Sequence, residues 1–330
     1  MEYQSVIPNG PKGSLIKNKS FITYLQKNIH YYYNSKPIVN RDVILPSPQP
    51  VSIEKKDFVK LINYNYNVTL KLDGTRFLLY FITDKHDKKM ALLINRAFEF
   101  YSIYLDVEDV VYDGTLLDGE LIFIDNKWKL FIHDGLILSG NKISNNKFLD
   151  RINDIKIFLS VNVRDCPHNT IELVTKNFYN FTNDFNTFIE KEYNNNVLND
   201  GLIFMPNDLP VISGTQYSLL KWKPFERHTF DFYIEEDNDD LVSKVYHLGD
   251  LIQFAKIHFN TEMGNKFITK TKNLTGYKNE CILECNFNNN NFEPILVRSD
   301  KNHANSLRTI ERTLYNIQEN ITLEDFQNLI

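Results

Sequence analysis

The strongest constraint on the fold is a series of short apolar runs between residues 68 and 140, separated by four Asp-Gly pairs. Short apolar runs that are bounded by turn residues are typical of β-strands. The longest run, residues 77–82, is far shorter than the roughly 18–20 apolar residues that cross a bilayer, so we expect no membrane-spanning segment. The predicted strands of this region lie at 77–82, 91–94, 116–124 and 130–138.

Helical spacing appears on both sides of this region. We predict a helix that begins at Ser52 as its N-cap and places Phe58, Leu61 and Ile62 on one face. After Pro224 the pattern becomes strand-rich, with few helical signals before residue 300. The pattern therefore predicts a larger mixed domain, a small β-rich domain and a helical tail. Further helices are predicted at 147–160, 183–193 and in the last 30 residues, and further strands at 201–205 and 217–222.

Length, charge and cysteine content narrow the class of protein. A chain of 330 residues is too long for one compact core and suits two domains. A net charge of −5 argues against a protein that coats nucleic acid, although an enzyme can still hold one nucleic-acid end in a locally basic pocket. The three cysteines form neither a disulfide scaffold nor a zinc motif, and Met1-Glu2-Tyr3 precedes no apolar signal segment. We expect a protein of a reducing compartment that is not secreted.

The sharpest local signal is the segment Lys71-Leu72-Asp73-Gly74-Thr75-Arg76. A neutral lysine amine can attack phosphorus, and a neighbouring glycine lets the backbone approach a phosphate closely. Arg76 offers a planar charge for phosphate or sugar oxygens, and Asp73 lies on the same side as Lys71 if the segment is extended. A surface turn is the alternative interpretation, because Asp-Gly is a common turn dipeptide.

Five further motifs follow this segment in a fixed order. Taken singly, each has an ordinary structural interpretation as a turn, an edge strand or an exposed loop. Their order and spacing together make coincidence an implausible explanation. The motifs are Asp118-Gly119-Glu120, His133-Asp134-Gly135, Asp200-Gly201-Leu202-Ile203, Lys221-Trp222-Lys223-Pro224 and Arg298-Ser299-Asp300-Lys301.

The ordered set resembles the covalent nucleotidyltransferases, which comprise mRNA capping guanylyltransferases, DNA ligases and RNA ligases. It is most similar to the capping branch, because of residues 50–54 before the nucleophile, Asn95-Arg96-Ala97, and the segments 227–232 and 298–305. The resemblance covers residues 50–330 and is similar in length and ending to the compact enzymes of chlorella viruses. The first 45 residues carry no recognisable family signal.

The resemblance implies an α+β fold with three parts. A nucleotidyltransferase domain of antiparallel sheets flanked by helices would occupy residues 1–225, and a small OB-fold β-barrel lid residues 226–318. A C-terminal helix at 319–330 would pack back on the first domain. It also implies a viral protein that acts in the cytoplasm or nucleus, or in a viral factory or virion.

The implied activity is mRNA guanylyl transfer, with Lys71 as the catalytic nucleophile. Lys71 would attack the α-phosphate of GTP, hold GMP covalently and pass it to the 5′-diphosphate end of an RNA to form the GpppN cap. Nearby cations and partial burial would help the amine to lose its proton. The implied GTP-binding set is Asp73, Gly74, Arg76, Arg96, Glu120, His133, Lys176, Lys221, Lys223, Arg298, Asp300 and Lys301.

Within that set the resemblance assigns individual roles. Asp200, with Glu120, would hold Mg²⁺ or Mn²⁺. Lys176 would donate to guanine O6, and His133 stands where relatives carry an aromatic residue, usually Phe, that stacks on the base. Arg76, Arg96 and Glu120 would contact the ribose and phosphates, and Lys221 and Lys223 would contact the α-phosphate. Arg298, Asp300 and Lys301 would close over the triphosphate.

Two alternatives stay open. An ATP-dependent polynucleotide ligase shares the Lys71 segment and the paired lysines, and a non-catalytic RNA- or polymerase-binding module is the second alternative. The chain has neither a Gly-x-Gly-x-x-Gly motif nor the paired Glu-x-Glu strands of metal-dependent RNA triphosphatases. Separate RNA triphosphatase and cap methyltransferase proteins are therefore expected partners, alongside GTP and RNA.

Overall fold

A computed structural model describes residues 3–7, 9–35, 46–195, 198–238, 240–299 and 301–330. Over these ranges the chain forms nineteen strands and seven α-helices. The strands are β1 (Tyr3–Ser5), β2 (Lys12–Leu15), β3 (Pro48–Ser52), β4 (Tyr66–Leu72), β5 (Thr75–Thr83), β6 (Lys89–Ile94), β7 (Phe100–Ile103), β8 (Thr115–Ile124), β9 (Lys127–Leu138), β10 (Asn141–Lys142), β11 (Glu172–Thr175), β12 (Tyr179–Asn180), β13 (Asn199–Pro206), β14 (Gly214–Trp222), β15 (Thr229–Asp237), β16 (Asp240–His247), β17 (Asp250–Ile257), β18 (Cys281–Asn288) and β19 (Asn291–Val297). The helices are α1 (Lys19–Tyr32), α2 (Phe58–Asn63), α3 (Phe148–Asn162), α4 (Phe181–Phe188), α5 (Glu262–Lys272), α6 (Leu307–Glu319) and α7 (Leu323–Gln327).

The chain divides into two compact units. The first contains the described residues of Met1–Ile53, Asp57–Trp222 and Gln327–Ile330, and the second contains those of Glu54–Lys56 and Lys223–Phe326. No helix in the described ranges is both long and apolar enough to cross a membrane.

The larger sheet of the first unit has the strand order β1-β2-β7-β6-β5-β8-β9-β10, and β11 pairs in parallel with β9. Its central strand β5 is buried on both faces, which explains its continuous apolar run. Phe77 and its alternate neighbours pack in one cluster with α3, whereas Leu78 and its alternate neighbours pack in another with α1. Helix α3 buries Phe148, Ile152 and other positions of the predicted apolar face.

The smaller sheet of the first unit has the order β12-β4-β13-β14-β3. All of its pairings are antiparallel except the one between β14 and β3. Strand β4, which carries the predicted nucleophile, is therefore flanked by β12 and β13.

The second unit contains one antiparallel sheet with the order β17-β16-β15-β18-β19. Ile268 of α5 and Ile310 of α6 join Phe230 and Phe232 in its buried cluster. The α+β class with antiparallel sheets is confirmed. Closure into an OB-fold barrel is not seen among the described pairings, because β17 and β19 remain edge strands and α5 contacts both of them.

Three local predictions differ from the structure. Ser52 does not cap a helix, because it pairs with Lys221 at the end of β3, and a 3₁₀ turn at Lys55–Asp57 precedes α2. Helices α1 and α5 lie where no helix was predicted. The helix predicted at 183–193 is α4 followed by a π-helical turn at Ile189–Tyr193.

Candidate active site

A β-bulge brings the predicted nucleophile and a buried carboxylate together. In the pairing of β4 with β13, Leu72 lies opposite Asn199 and Leu70 lies opposite Leu202. Two residues of β13, Asp200 and Gly201, therefore lie opposite the single residue Lys71. The second bulge residue, Gly201, has a φ of +127°, which favours glycine. The bulge turns Asp200 towards Lys71, whose Nζ donates a hydrogen bond to Asp200 Oδ2.

The loop after Lys71 is shaped by a close backbone approach at Gly74. A Cβ added at Gly74 would lie 2.6 Å from Ile122 Cγ1 and 2.7 Å from the Leu121 carbonyl oxygen, so a larger residue would displace the β8 backbone. Asp73 is exposed, and its backbone N–H donates to the Leu198 carbonyl at 3.2 Å. Gly74 therefore fixes the loop against β8, next to Glu120.

Arg76 is held by a buried carboxylate on the neighbouring strand. Its Nε and Nη2 donate to the two carboxylate oxygens of Asp118 at 2.9 and 2.5 Å, and its Nη1 donates to the Pro48 carbonyl at 2.6 Å. The side chains of Arg76 and Asp118 are only 9% and 2% exposed. Burial alone would raise the pKa of Asp118, but Arg76 and His133 outweigh it and hold that pKa well below its usual range.

His133 reaches the same carboxylate because of a second bulge. Asp118 pairs with Asp134 and Gly119 pairs with Ile132, so His133 is the extra residue of β9. Its Nε2 lies 3.2 Å from Asp118 Oδ1. Asp118 thus organises both a guanidinium and an imidazole.

A second buried ion pair lies next to the first. Arg151 of α3 donates from Nε and Nη2 to the two oxygens of Asp134 at 2.9 and 2.8 Å. Its Nη1 also donates to the Asn146 carbonyl at 2.6 Å. This pair ties α3 to β9 beside the bulge at His133.

A cavity of about 240 Å³ within the first unit is lined by Lys71, Arg76, Asp118, His133 and Asp134, among others. The described lining carries five Lys or Arg side chains and three carboxylates, together with apolar side chains such as Phe178 and Leu219. Two of those carboxylates, Asp118 and Asp134, are already bound by guanidinium groups. A cavity with surplus positive charge and apolar walls suits an anionic ligand that carries a flat, partly apolar group. A neighbouring cavity of about 120 Å³ shares Thr69, Leu72 and Lys176 with it.

Two titratable groups of the cavity are shifted mainly by burial. Burial lowers the pKa of Lys176 to about 8, with Lys71 adding to the effect and Glu120 opposing it. The amine of Lys176 donates to the Leu70 carbonyl at 2.6 Å. Burial also raises the pKa of Glu120, against the opposing influence of His133, Lys176, Arg76 and Arg96.

The structure brings together seven of the residues predicted for the site and leaves others apart. Asp200 joins the group through Lys71, whereas Asp73 and Gly74 belong to the adjoining loop. Lys223 belongs to the second unit, and Asp300 lies outside the described residues. The seven that line the cavity are Lys71, Arg76, Arg96, Glu120, His133, Lys176 and Lys221.

The other two predicted cations, Arg298 and Lys301, are bound by carboxylates of the second unit. Arg298 Nη1 donates to Glu284 Oε2 at 2.9 Å and lies 3.5 Å from Asp231 Oδ1. Lys301 Nζ donates to Asp231 Oδ2. Asp231 itself is fixed by Asn305, whose Oδ1 accepts the Asp231 backbone N–H at 3.0 Å.

Sequence reasoning missed Asp118, Asp134 and Arg151 as organising residues. The signal for Asp118 was available, because an Asp two residues before Glu120 in an apolar strand lies on the same face as that Glu and needs a partner when buried. Arg151 carries no comparable signal, since its distance from Asp134 in the chain gives no indication of contact.

Among the described residues no group of three or more His, Cys, Asp or Glu side chains is placed to hold a metal ion. Mg²⁺, however, is commonly held by one or two carboxylates together with substrate phosphates. Asp200, which faces Lys71, and Glu120, whose pKa is raised by burial, are oxygen donors of that kind.

Comparisons with known proteins give a consistent family assignment. The model of the mRNA capping enzyme catalytic domain matches residues 14–225, and the model of the mRNA capping enzyme C-terminal domain matches residues 225–327. The match thus includes α1, although the first 45 residues carry no family signal that we recognised.

Individual relatives were also found. The mRNA-capping enzyme subunit alpha of Schizosaccharomyces pombe is 29% identical over 325 residues, covering 85% of this chain and 78% of its own length. The mRNA-capping enzyme of Danio rerio is 27% identical, covering 84% of this chain and 48% of its own length. A mycobacterial DNA ligase D complexed with ATP and MES has a TM-score of 0.44 at 11% identity, over 77% of this chain and 95% of that one, which is too low to support any argument.

Proposed function

The chain belongs to the mRNA capping enzyme family, and we infer on that premise that it is a GTP:RNA guanylyltransferase with Lys71 as its nucleophile. The observation that carries the assignment of Lys71 is its position in the cavity, paired with Asp200 and surrounded by cations. Lys71 combines a nucleophilic amine with a local field that suits a nucleoside triphosphate.

The proposed first step forms a bond between Lys71 Nζ and the α-phosphorus of GTP. The bond from that phosphorus to the β-phosphate oxygen breaks, pyrophosphate leaves with the bonding electron pair, and the amine gives up a proton. In the second step a terminal oxygen of the RNA 5′-diphosphate attacks the same phosphorus. The bond to Nζ then breaks, the amine regains a proton, and the GpppN cap is released.

Asp200 has a defined part in this scheme. A carboxylate beside an amine stabilises the ammonium form, and an ammonium group has no lone pair with which to attack. Lys71 must therefore leave Asp200, or pass a proton to it, before the first step. One hydrogen bond joins the two side chains. It can be broken by rotation of the lysine side chain, because an ammonium group lacks the rigid two-point geometry with which a guanidinium binds a carboxylate.

The remaining cavity residues are proposed to bind the nucleotide. Arg76 uses three N–H groups on Asp118 and Pro48, and a guanidinium has five, so two remain for ligand oxygens. Arg96 and Glu120 suit the ribose and phosphates, Lys176 the guanine O6, and His133 the face of the base. Lys221, with Lys223, would stabilise charge on the α-phosphate as pyrophosphate leaves.

We propose that Asp200 and Glu120, together with phosphate oxygens of the substrate, would hold a divalent cation, Mg²⁺ or Mn²⁺. When bound, such an ion neutralises phosphate charge. Asp200 would then exchange its contact with Lys71 for one with the ion.

We also propose a division into domains. Residues 1–225 would form the nucleotidyltransferase domain and residues 226–318 a lid of OB-fold type, and the segment 319–330, which contains α7, would pack back on the first domain. Arg298, Asp300 and Lys301 would act on the triphosphate as the lid closes. For Arg298 and Lys301 this requires an exchange of Asp231 and Glu284 for phosphate oxygens.

Capping needs two other activities, which we propose lie on separate proteins, an RNA triphosphatase and a cap methyltransferase. We also propose that the protein acts in the nucleus or cytoplasm. If it is a viral protein, it would act in a viral factory or virion.

The direct test incubates the protein with α-labelled GTP or ATP and Mg²⁺, then denatures it and measures label on the polypeptide. We expect label from GTP, abolished in Lys71→Ala and retained in Lys129→Ala. Lys129 is a matched control because it also pairs with an aspartate, Asp125, at 3.0 Å and does not line the cavity.

Other outcomes would contradict the proposal. Label from ATP alone would indicate a polynucleotide ligase. The absence of label from either nucleotide would favour a binding module, and label that survives in Lys71→Ala would place the nucleophile elsewhere.

A further inference from the structure

Helix α1 lies on the same face of the larger sheet as two proposed nucleotide ligands. Leu25 and Ile29 of this helix share a buried cluster with Leu78 and Leu116. Arg76 is two residues before Leu78, and Asp118 is two residues after Leu116, so both point to the α1 side of the sheet. The C-terminal end of α1 is thereby placed close to the Arg76–Asp118 pair.

Tyr33, the C-cap residue that follows α1, carries an unexplained hydroxyl group. The residue is only 3% exposed, and its Oη has no hydrogen-bond partner among the described residues. A buried hydroxyl without a partner is unfavourable and calls for an explanation. Burial raises the pKa of Tyr33 well above its usual value, with Asp118 and Asp134 adding to the effect and Arg76 opposing it, so the phenol lies within the field of these charges.

The turn that holds Tyr33 is itself well anchored. The Tyr33 backbone N–H donates to the Ile29 carbonyl at 3.0 Å, and the Ser35 N–H donates to the His30 carbonyl at 2.9 Å. The ring of His30 packs edge-on against Phe98 at 5.7 Å. Tyr33 is therefore held in place by contacts that do not involve its hydroxyl.

Phe98 links the same helix to Arg96. It lies in the loop between β6 and β7 with a φ of +59°, a conformation that bulky residues rarely adopt, and it is buried against Phe100. The loop is closed by Asn95, whose Oδ1 accepts the Glu99 N–H at 3.0 Å. Helix α1 thus supports the loop that presents Arg96 to the cavity.

Asp118 has capacity for one more donor. It accepts two hydrogen bonds from Arg76 and one from His133, and an ionised carboxylate offers about four lone-pair sites. The Tyr33 hydroxyl is a buried donor on the same face and lies within the field of this carboxylate, and in the described part of the chain it has no partner.

We propose that Tyr33 is a positioning residue of the nucleotide site, whose hydroxyl donates the fourth hydrogen bond to Asp118 when GTP occupies the cavity. That bond holds Asp118, and through it Arg76 and His133, in the geometry that binds the nucleotide. The inference rests on the proposed function, because it takes the cavity as the GTP site.

The test compares Tyr33→Phe with Tyr80→Phe. Tyr80 is also a buried tyrosine of the same cluster, but its hydroxyl is linked to Tyr32 and Asn28 rather than to the site. Rates of adduct formation are measured over a range of GTP concentrations. We expect Tyr33→Phe to raise the GTP concentration for half-maximal rate about 3–10-fold with a saturating rate within about twofold of wild type, and Tyr80→Phe to leave both unchanged.

A second measurement is independent of the chemistry. The rise in melting temperature on adding GTP without a divalent cation should be smaller for Tyr33→Phe than for Tyr80→Phe. Equal GTP dependence in the two variants, or a lower melting temperature of Tyr33→Phe with unchanged GTP dependence, would overturn the inference. A wild-type protein that forms no adduct would instead refute the proposed function.

Discussion

Two aspartate–cation pairs of the same cavity differ in how firmly they are held. Arg76 and Asp118 are joined by two hydrogen bonds, and their side chains are 9% and 2% exposed. Lys71 and Asp200 share one contact, and their side chains are 22% and 11% exposed. Each pair joins neighbouring antiparallel strands, and each includes a residue next to a β-bulge.

The difference distinguishes a structural pair, which is held rigidly, from a reactive pair, which can separate. A buried pair with two-point geometry is costly to break, because either partner alone would leave an uncompensated charge. A partly exposed ammonium group can rotate away, since water and other anions can replace its partner. We infer that Arg76–Asp118 shapes the cavity, whereas Lys71–Asp200 opens during the reaction.

The largest expected effect comes from breaking the buried pair. Asp118→Asn should lower the free energy of unfolding by about 3–5 kcal/mol, because the charge of Arg76 loses its counter-charge. Urea denaturation measures this loss. Asp125→Asn, which removes a carboxylate from the exposed pair with Lys129, should change the free energy of unfolding by less than about 0.5 kcal/mol. Similar losses in the two variants would remove the distinction between the pairs.

An intermediate effect is expected at the reactive pair, and it should appear in rate rather than in stability. Asp200→Asn should slow adduct formation about 100-fold, because the residue that accepts the contact of Lys71 can no longer take its proton or hold a cation. The free energy of unfolding should fall by less than in Asp118→Asn, because Lys71 is partly exposed and water can replace its partner. Single-turnover labelling measures the rate of adduct formation, and urea denaturation measures the stability. A labelling rate equal to that of the wild type would contradict the assigned role of Asp200.

The most gradual effect concerns Lys176, and it appears only as the pH changes. Burial lowers its pKa from 10.5 to about 8, so between these values the unfolded chain binds a proton that the folded chain lacks. The free energy of unfolding should therefore rise with pH in this window, by at most about 1.4 kcal/mol per pH unit, and level off below pH 8. The difference between wild type and Lys176→Met, followed by urea denaturation from pH 7 to 10, isolates the contribution. If the curves of unfolding free energy against pH run parallel for the two proteins, folding does not lower the pKa of Lys176.

Much of the first unit could be predicted from local sequence. Strands 77–82 and 116–124 were recognisable because turn residues bound them, and α3 because Phe148, Ile152 and Ile155 recur at helical spacing. Helix α1 was missed although Phe21, Leu25 and Ile29 recur at helical spacing, and the strands that it packs against lie far away in the chain.

Which residues form the site was easier to predict than how they are arranged. A turn was the alternative interpretation of Asp118-Gly119 and Asp200-Gly201, yet both pairs lie inside strands at β-bulges. Gly201 is itself a bulge residue with a positive φ, whereas the extra residue opposite Asp118-Gly119 is His133 of β9. Strand register decides which of these carboxylates faces Arg76 and which faces Lys71. Register depends on pairing between strands, so the spacing of residues along the chain does not determine it.

The most direct test of the central claim is to locate the nucleotide on the protein. Within the described part of the chain three lysines line the cavity, Lys71, Lys176 and Lys221. The protein is labelled with GTP, digested, and the modified lysine is identified by mass spectrometry of its peptides. The account predicts GMP on Lys71 alone, and GMP on Lys176 or Lys221 would contradict it.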